Sequence, residues 1–125
     1  MKKNIAVVGC GHWGKNLVRN FYELQALSSV CDPNQQISDT FAKQFNVKNH
    51  SFKEILDDPN IRGVVLAVPA ELHASMAVEA MNKGKHVFVE KPLAMNEIEA
   101  NLMIKTAKKN KIQLMVGHLL QYHPI

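Results

Sequence analysis

The sequence contains no run of about 20 consecutive apolar residues, which is the length that a membrane-spanning helix requires. Its start, Met1-Lys2-Lys3, leads directly into a short strand-like segment, without the longer apolar region and the small-residue cleavage site of a signal peptide. We therefore expect a cytoplasmic protein that has no membrane partner.

Cysteine is scarce as well, with two residues in the chain, Cys10 and Cys31. Two cysteines beside predicted strand ends cannot build a disulfide framework, and neither belongs to a Cys-x-x-Cys pair. We expect both to be small buried thiols, and we predict no metal site.

Charge of one sign is not in large excess, since the formal net charge is +4. Much of the excess lies near the end of one predicted helix, at Lys105, Lys108, Lys109 and Lys111, where lysine complements the helix dipole. A nucleic-acid-binding patch would interleave arginines or aromatic residues with these lysines, and none are interleaved here. We therefore expect no nucleic-acid partner.

The 125 residues suffice for one domain, and strand patterns alternate with helix patterns throughout. Strands are predicted at residues 4–8, 27–31, 47–50, 63–68, 86–90 and 112–116. Helices are predicted to begin near Trp13, at Pro33, at the capping box Ser51-Phe52-Lys53-Glu54, at Ala70 and at Asn96. The apolar stripe of the first helix is predicted at Leu17, Phe21 and Leu24, and that of the last helix at Ile98, Leu102 and Ala107.

Short connections between alternating strands and helices favour right-handed crossovers and a parallel sheet with helices on both faces. We therefore predict an α/β fold, a doubly wound parallel sheet in three layers with strand order 3-2-1-4-5-6. Ligands of such folds bind outside the carboxyl ends of the strands. The residues that fall there are Gly9, Asp32, Pro69, Lys91 and His118.

The first strand leads into Gly9-Cys10-Gly11-His12-Trp13-Gly14, a Gly-x-Gly-x-x-Gly turn that opens a helix. Such a turn binds a dinucleotide pyrophosphate: Gly9 takes the tight turn, Gly11 lets the backbone approach the phosphates, and Gly14 allows close helix packing. The helix N-terminus adds unpaired N–H groups and the positive end of its dipole. We assign these glycines, with His12 and Trp13, to a cofactor site.

Asp32 follows the second strand, 23 residues after Gly9, which is close to the spacing of the acid that binds a ribose hydroxyl. Its charge would repel a 2′-phosphate, and the following Pro33-Asn34 offers no basic residue, so NAD is favoured over NADP. The alternative is that Asp32 is the N-cap of the next helix.

Glu90-Lys91-Pro92 puts a carboxylate and an ammonium group at the end of a buried-type strand. A lysine at such a position can be partly desolvated, which makes its proton easier to exchange. The alternative is an ordinary surface ion pair.

Four segments together resemble the Gfo/Idh/MocA family of oxidoreductases: the glycine turn, Cys31-Asp32-Pro33, Val68-Pro69-x-x-Leu72-His73 and Glu90-Lys91-Pro92-Leu93. The family contains glucose–fructose oxidoreductase and inositol 2-dehydrogenase, and its relatives act on sugars and nucleotide sugars. The resemblance covers essentially the whole chain. It implies the family's N-terminal NAD(P)-binding Rossmann domain, in an enzyme that forms a homo-oligomer at full length.

The resemblance also implies roles for single residues. Lys91 matches the family lysine that contacts the nicotinamide ribose and the substrate hydroxyl, and it is therefore the candidate catalytic residue. Glu90 and Pro92 match the neighbours that shape the nicotinamide pocket. Pro69 and His73 match positions that line the cofactor cleft; the alternative for His73 is a helix histidine that contacts the edge of the sheet.

Two features depart from the family pattern. Many relatives carry two arginines after the last strand, where this chain has Leu120 and Gln121. Some nucleotide-sugar dehydrogenases lack these arginines too, which slightly favours a nucleotide-sugar substrate. Family enzymes continue into a second domain that supplies a general-base histidine and an aspartate, whereas this chain stops at Ile125. We therefore predict a dinucleotide-binding domain over residues 1–118, with residues 119–125 starting the connection to a substrate domain.

The predicted function is cofactor binding for an NAD-dependent dehydrogenase. Hydride would pass from a sugar, cyclitol or nucleotide-sugar carbinol carbon to nicotinamide, with Lys91 assisting at the hydroxyl. The alternative, from a different class, is a stand-alone or truncated NAD-binding module without catalytic turnover.

Overall fold

The computed structural model describes residues 3–9, 14–90 and 92–117. The strands in these residues are β1 Ile5–Val8, β2 Leu27–Cys31, β3 Lys48–Asn49, β4 Gly63–Leu66, β5 His86–Glu90 and β6 Leu114–Gly117. The α-helices are α1 Gly14–Glu23, α2 Gln35–Phe45, α3 Phe52–Asp57, α4 His73–Asn82 and α5 Glu97–Asn110, and a 3-10 turn at Ala70–Leu72 precedes α4. The strands pair in parallel in the order β3-β2-β1-β4-β5-β6, which confirms the predicted sheet.

Helices cover both faces of the sheet. Successive side chains of a strand point to opposite faces, so one strand contributes to the apolar core on each side. On β1, Val7 belongs to the core beneath α1 and α2, whereas Ala6 and Val8 belong to the core beneath α3, α4 and α5. Leu17, Val18, Val30 and Val65 are other members of the first core, and Ile55, Ala77, Met81, Val87 and Met103 are members of the second. The chain therefore builds two apolar layers around one sheet.

Two helix starts have the side-chain caps that the sequence predicts. The Ser51 hydroxyl accepts a hydrogen bond from the Glu54 N–H at 3.1 Å, and the Glu54 carboxylate accepts one from the Ser51 N–H at 2.8 Å. The hydrogen bond from the Ser51 backbone lowers the pKa of Glu54, and the Ser51 hydroxyl adds to this effect. Asn96 likewise caps α5 by accepting a hydrogen bond from the Glu99 N–H at 2.9 Å.

The predicted apolar stripe of α5 is wrong in two of its three residues. Ile98 and Leu102 are 82% and 50% exposed, and the buried residues of the helix are Met103, Thr106 and Ala107. The pattern is ambiguous here because the helix carries apolar residues on several sides, so more than one stripe fits the helical period. Packing of α5 against α4 and the sheet selects the side that contains Met103.

Several predicted boundaries move by one to three residues. The sequence pattern predicts Leu24 in the buried stripe of the first helix, but this is wrong, because α1 ends at Glu23 and Leu24 is 62% exposed. Gln25, with a φ of 59°, then turns the chain toward β2. At the other end of the sheet, Lys111 has a φ of 56° and closes α5, so β6 begins at Leu114 and not at residue 112.

Lys85 is a buried ammonium group at the amino-terminal edge of the sheet, just before β5. Its side chain is 5% exposed and donates to the carbonyl oxygens of Asp58 and Ile61, at 2.6 and 2.7 Å. Burial lowers the pKa of Lys85, while the Asp58 carboxylate opposes that shift. Lys85 thus connects the start of β5 to the loop before β4.

Among the described helices, none has the length and apolar character needed to cross a membrane.

Candidate dinucleotide-binding site

Four strand ends lie at one edge of the sheet, because the pairing registers are flush. Val8 pairs with Cys31 on one side and with Leu66 on the other, and Leu66 pairs with Val89. The residues that follow these positions are Gly9, Asp32, Ala67 and Glu90. The structure therefore brings together the predicted site residues of β1, β2, β4 and β5 at the carboxyl edge.

Gly9 leaves β1 in a conformation that favours glycine, with a φ of +95°. Its N–H donates to the carbonyl oxygen of Cys31 at 2.7 Å, and a Cβ at this position would overlap the carbonyl oxygen of Ala67. Gly9 is thus enclosed by the ends of both neighbouring strands, and position 9 has no space for a side chain.

Gly14 begins α1 against the same turn. A Cβ on Gly14 would overlap the carbonyl oxygen of Gly9 and would lie 3.3 Å from the Cβ of Ala67. The first turn of α1 contains no acidic residue, so no side chain there opposes the positive end of the helix dipole. This cradle, which a Cβ at position 9 or 14 would fill, fits an approaching pyrophosphate.

The turn residues between these two glycines, which include the predicted cofactor residues Gly11, His12 and Trp13, lie outside the described residues. Lys91 and His118 lie outside them as well. Their roles stay predictions from the sequence.

Asp32 follows β2 at the carboxyl edge, and its carboxylate is held by a local hydrogen bond. Oδ1 accepts the N–H of Asn34 at 2.9 Å, across Pro33. The N-cap of α2 is Asn34, whose side chain accepts the N–H groups of Gln36 and Ile37. The alternative that Asp32 caps this helix is therefore wrong, and its carboxylate lies in the loop between β2 and α2.

Cys31, the last residue of β2, is a buried thiol. Burial raises the pKa of Cys31 to about 11, and the nearby carboxylates of Asp32 and Glu54 add to the shift. The thiol therefore stays protonated at neutral pH and is a weak nucleophile. This agrees with the expected small buried thiol at Cys31.

Ala67 and Pro69 form the loop that follows β4. The N–H of Ala67 donates to the carbonyl oxygen of Val8 at 2.8 Å, so the loop continues the pairing of β4 with β1. Pro69 then begins the 3-10 turn, and its carbonyl oxygen accepts the N–H of Leu72 at 2.9 Å. No motif in the sequence identifies Ala67 as part of this edge. Its signal is a small residue directly after a buried strand that neighbours the glycine turn.

His73 is the first residue of α4, and its side chain is 2% exposed. Its Nδ1 lies 2.9 Å from the carbonyl oxygen of Pro92, and its Nε2 lies 2.9 Å from the carbonyl oxygen of Val68. The described contacts of the ring nitrogens are thus with the backbone of two loops. Glu90 ends β5 in register with Gly117 of β6, and the Pro92 carbonyl reaches the His73 ring from the loop that follows β5.

A doubly wound sheet whose β1 ends in a glycine cradle, with a carboxylate after β2, defines the dinucleotide-binding class of α/β domains. The family model of the Gfo/Idh/MocA oxidoreductases, described as their NAD-binding Rossmann fold, matches residues 3–118. The chain belongs to the Gfo/Idh/MocA oxidoreductase family.

Similar proteins include enzymes of different activities. An alpha-N-acetylgalactosaminidase from Shewanella oneidensis is 31% identical over 131 residues, which cover 94% of this chain and 28% of that protein. The structure of UDP-N-acetylglucosamine 3-dehydrogenase from Acidithiobacillus ferrooxidans matches with a TM-score of 0.89 and 26% identity, over 99% of this chain and 41% of that one.

A third similar protein binds the phosphorylated cofactor. Biliverdin reductase from Synechocystis, solved in complex with biliverdin and NADP+, matches with a TM-score of 0.85 and 27% identity, over 94% of this chain and 38% of that one. The chain thus spans less than half the length of each of these three proteins.

Proposed function

We propose that this chain is the NAD-binding domain of an oxidoreductase that acts on a hydroxyl group of a sugar, cyclitol or nucleotide sugar. The observation that carries the proposal is the cradle of Gly9 and Gly14, in which a side chain at either position would overlap a backbone carbonyl oxygen. The domain extends over residues 1–118, and residues 119–125 start the connection to a substrate domain. We place the enzyme in the cytoplasm.

The adenosine half of the cofactor binds at the ends of β1 and β2. Gly9, Gly14 and the N-terminus of α1 would hold its pyrophosphate, together with Gly11, His12 and Trp13 of the glycine motif. Asp32 accepts hydrogen bonds from the adenosine ribose hydroxyls, and the Asn34 N–H helps to orient its carboxylate. Because this charge opposes a 2′-phosphate, NAD is preferred over NADP, although one similar protein binds NADP+.

The nicotinamide half binds at the ends of β4 and β5, between the loops that contain Pro69 and Glu90-Lys91-Pro92. The bound nicotinamide supplies the hydride chemistry. Lys91 donates a hydrogen bond to the reacting oxygen of the substrate, orients it and stabilises the negative charge that grows there as its proton leaves. The other proton-transferring groups belong to the substrate domain.

A nucleotide sugar is the substrate class that the comparisons favour. The UDP-N-acetylglucosamine 3-dehydrogenase fold matches nearly the whole chain at 26% identity. In addition, the arginine positions that many relatives use are occupied by Leu120 and Gln121 in this sequence. Some nucleotide-sugar dehydrogenases also lack these arginines, so both observations support a nucleotide sugar as the substrate, but neither selects one sugar.

Calorimetric titration of the chain with NADH and NADPH tests the proposal. We expect NADH to bind at least about tenfold more tightly than NADPH, which corresponds to about 1.4 kcal/mol. Equal affinities would contradict the assignment of Asp32, and the absence of any binding would contradict the cofactor site itself. Binding without turnover by the full-length protein on UDP-N-acetylglucosamine or another nucleotide sugar would favour the alternative of a binding module.

A second candidate is a glycosidase that uses the same cofactor site, which the 31% identity to an alpha-N-acetylgalactosaminidase supports. In such an enzyme hydride leaves the sugar and later returns to it, while the glycosidic bond is broken and water is added. The cofactor then undergoes no net change. With 4-nitrophenyl N-acetylgalactosaminide, this candidate predicts release of nitrophenol without accumulation of NADH, whereas the dehydrogenase predicts one NADH for each sugar oxidised.

A further inference from the structure

His73 lies between two loops, and both of its ring nitrogens are used. The 2.9 Å distances from Nδ1 to the Pro92 carbonyl oxygen and from Nε2 to the Val68 carbonyl oxygen are both hydrogen-bond distances. At 2% exposure the ring has almost no access to water that could replace either partner. Each nitrogen therefore depends on its carbonyl for a hydrogen bond.

The chemistry of these partners restricts the form of the ring. A carbonyl oxygen accepts hydrogen bonds and cannot donate them, whereas a neutral imidazole has one N–H and one bare nitrogen. A neutral His73 would donate to one loop and would turn a lone pair toward the carbonyl of the other. Only the ring that carries hydrogen on both nitrogens donates to both loops.

The two carbonyl groups belong to the loops that the proposed function assigns to nicotinamide. The loops follow the adjacent, parallel-paired strands β4 and β5. The Val68 carbonyl forms the peptide bond to Pro69, and Pro92 directly follows Lys91 in the sequence. A single side chain thus holds both loops next to the residues that are predicted to contact the cofactor and the substrate.

We propose that His73 is a positioning residue: protonated on both nitrogens, it ties the loop after β4 to the loop after β5 and so sets the width of the nicotinamide site. This inference rests on the proposed function, because that function assigns the two loops to nicotinamide. The tie works only while both ends are attached, so loss of either hydrogen bond releases the loops.

A matched pair of variants separates the two ends of the tie. In His73→Asn, the amide nitrogen takes the place of Nδ1 and keeps the hydrogen bond to Pro92, whereas in His73→Gln it takes the place of Nε2 and keeps the one to Val68. His73→Leu removes both. The control is Ser75→Ala, which removes an exposed hydrogen bond from the next turn to the Leu72 carbonyl oxygen.

The readout compares NADH with ADP-ribose, which contains the adenosine and pyrophosphate but no nicotinamide. We expect all three His73 variants to bind NADH about tenfold more weakly, with His73→Leu no worse than the single-bond variants, and to bind ADP-ribose within about twofold of the wild type. The control should bind both ligands normally. Equal losses for NADH and ADP-ribose would indicate a merely structural residue, and additive losses would indicate two independent hydrogen bonds; either result overturns the proposal.

Nitrogen NMR of the wild-type chain gives a second test that needs no variant. With ¹⁵N-labelled histidine at pH 7, we expect the two ring nitrogens of His73 to have the similar shifts of a doubly protonated ring. A bare nitrogen would overturn the tie even if the variants fail to fold. If the wild type binds neither NADH nor ADP-ribose, the proposed function fails, and the NMR result still decides whether His73 joins both loops.

Discussion

Gly14 lies directly against the carbonyl group of Gly9, so that a methyl group at position 14 would overlap that oxygen. The contact joins the first residue of α1 to the turn that leaves β1. It explains why glycine is needed at both ends of this turn. Gly14 lies in an α-helix, a backbone conformation that other residues also adopt, so this contact, and not the local conformation, requires glycine at position 14.

Gly14→Ala should destabilise the chain by about 3 kcal/mol, because backbone atoms must move to relieve the overlap. NADH binding should be lost with it. Gly84→Ala is the matched control: Gly84 has a φ of +82° but open space around it, so that substitution should cost only about 1–2 kcal/mol and leave NADH affinity intact. Urea unfolding and calorimetry measure both effects. Normal NADH binding by Gly14→Ala would refute the cradle.

Asp32→Asn should change cofactor preference without removing an acceptor for the Asn34 N–H. We expect the ratio of NADH affinity to NADPH affinity to fall about tenfold, because the negative charge opposite the 2′ position is gone. Asp32→Ala should also weaken NADH binding. Asp57→Asn removes the same charge from an exposed pair with Lys83 outside the site and should leave the ratio unchanged. An unaltered ratio in Asp32→Asn would rule out the ribose assignment.

Lys91→Ala should lower the turnover of the full-length enzyme by about 100-fold or more, because the substrate oxygen loses a hydrogen-bond donor during hydride transfer. Cofactor binding should be mostly retained. Lys83→Ala, in which an exposed lysine is removed, is the control and should keep full turnover. Steady-state kinetics and NADH titration separate the two effects. Full activity of Lys91→Ala would exclude a catalytic role.

Cys31 should make stability decrease at alkaline pH. Its pKa is raised to about 11 in the folded chain, so the unfolded chain loses the thiol proton first as the pH rises above about 9. The stabilisation that the buried, protonated thiol gives the folded chain is complete below about pH 9. It is lost progressively as the pH approaches 11, by up to about 2 kcal/mol. Urea unfolding of the wild type and of Cys31→Ala across this range measures the difference. Parallel stability curves for the two proteins would contradict the buried thiol.

The sequence predicts the sheet well because its signals are local. The uninterrupted apolar strands, the Ser51–Glu54 capping box and the Asn96 cap each depend on neighbouring residues, and all are confirmed. The face of α5 is not local information: Ile98 and Met103 are both apolar, and only packing on α4 decides that Met103 is buried.

The same distinction between local sequence signals and information that depends on packing applies to the candidate site. Gly9 and Asp32 could be placed by motif and spacing, because both follow strands at one edge of a parallel sheet. The role of Ala67 could not, because its carbonyl meets Gly9 only through the register of β4 against β1. The partners of His73 are also beyond the sequence, since they are backbone carbonyls of two separate loops.

The flush edge formed by Gly9, Asp32, Ala67 and Glu90 makes the proposed cofactor site a property of the assembled sheet. Its parts come from four strands that are distant in the chain, so a fragment that ends after β2 would contain the glycine turn without the Ala67 carbonyl that encloses it. Ligand binding and complete folding are therefore linked equilibria. At a hundred times its dissociation constant, NADH should stabilise the entire domain by about 2.7 kcal/mol, and amide protons should be protected as far away as β3 and β6.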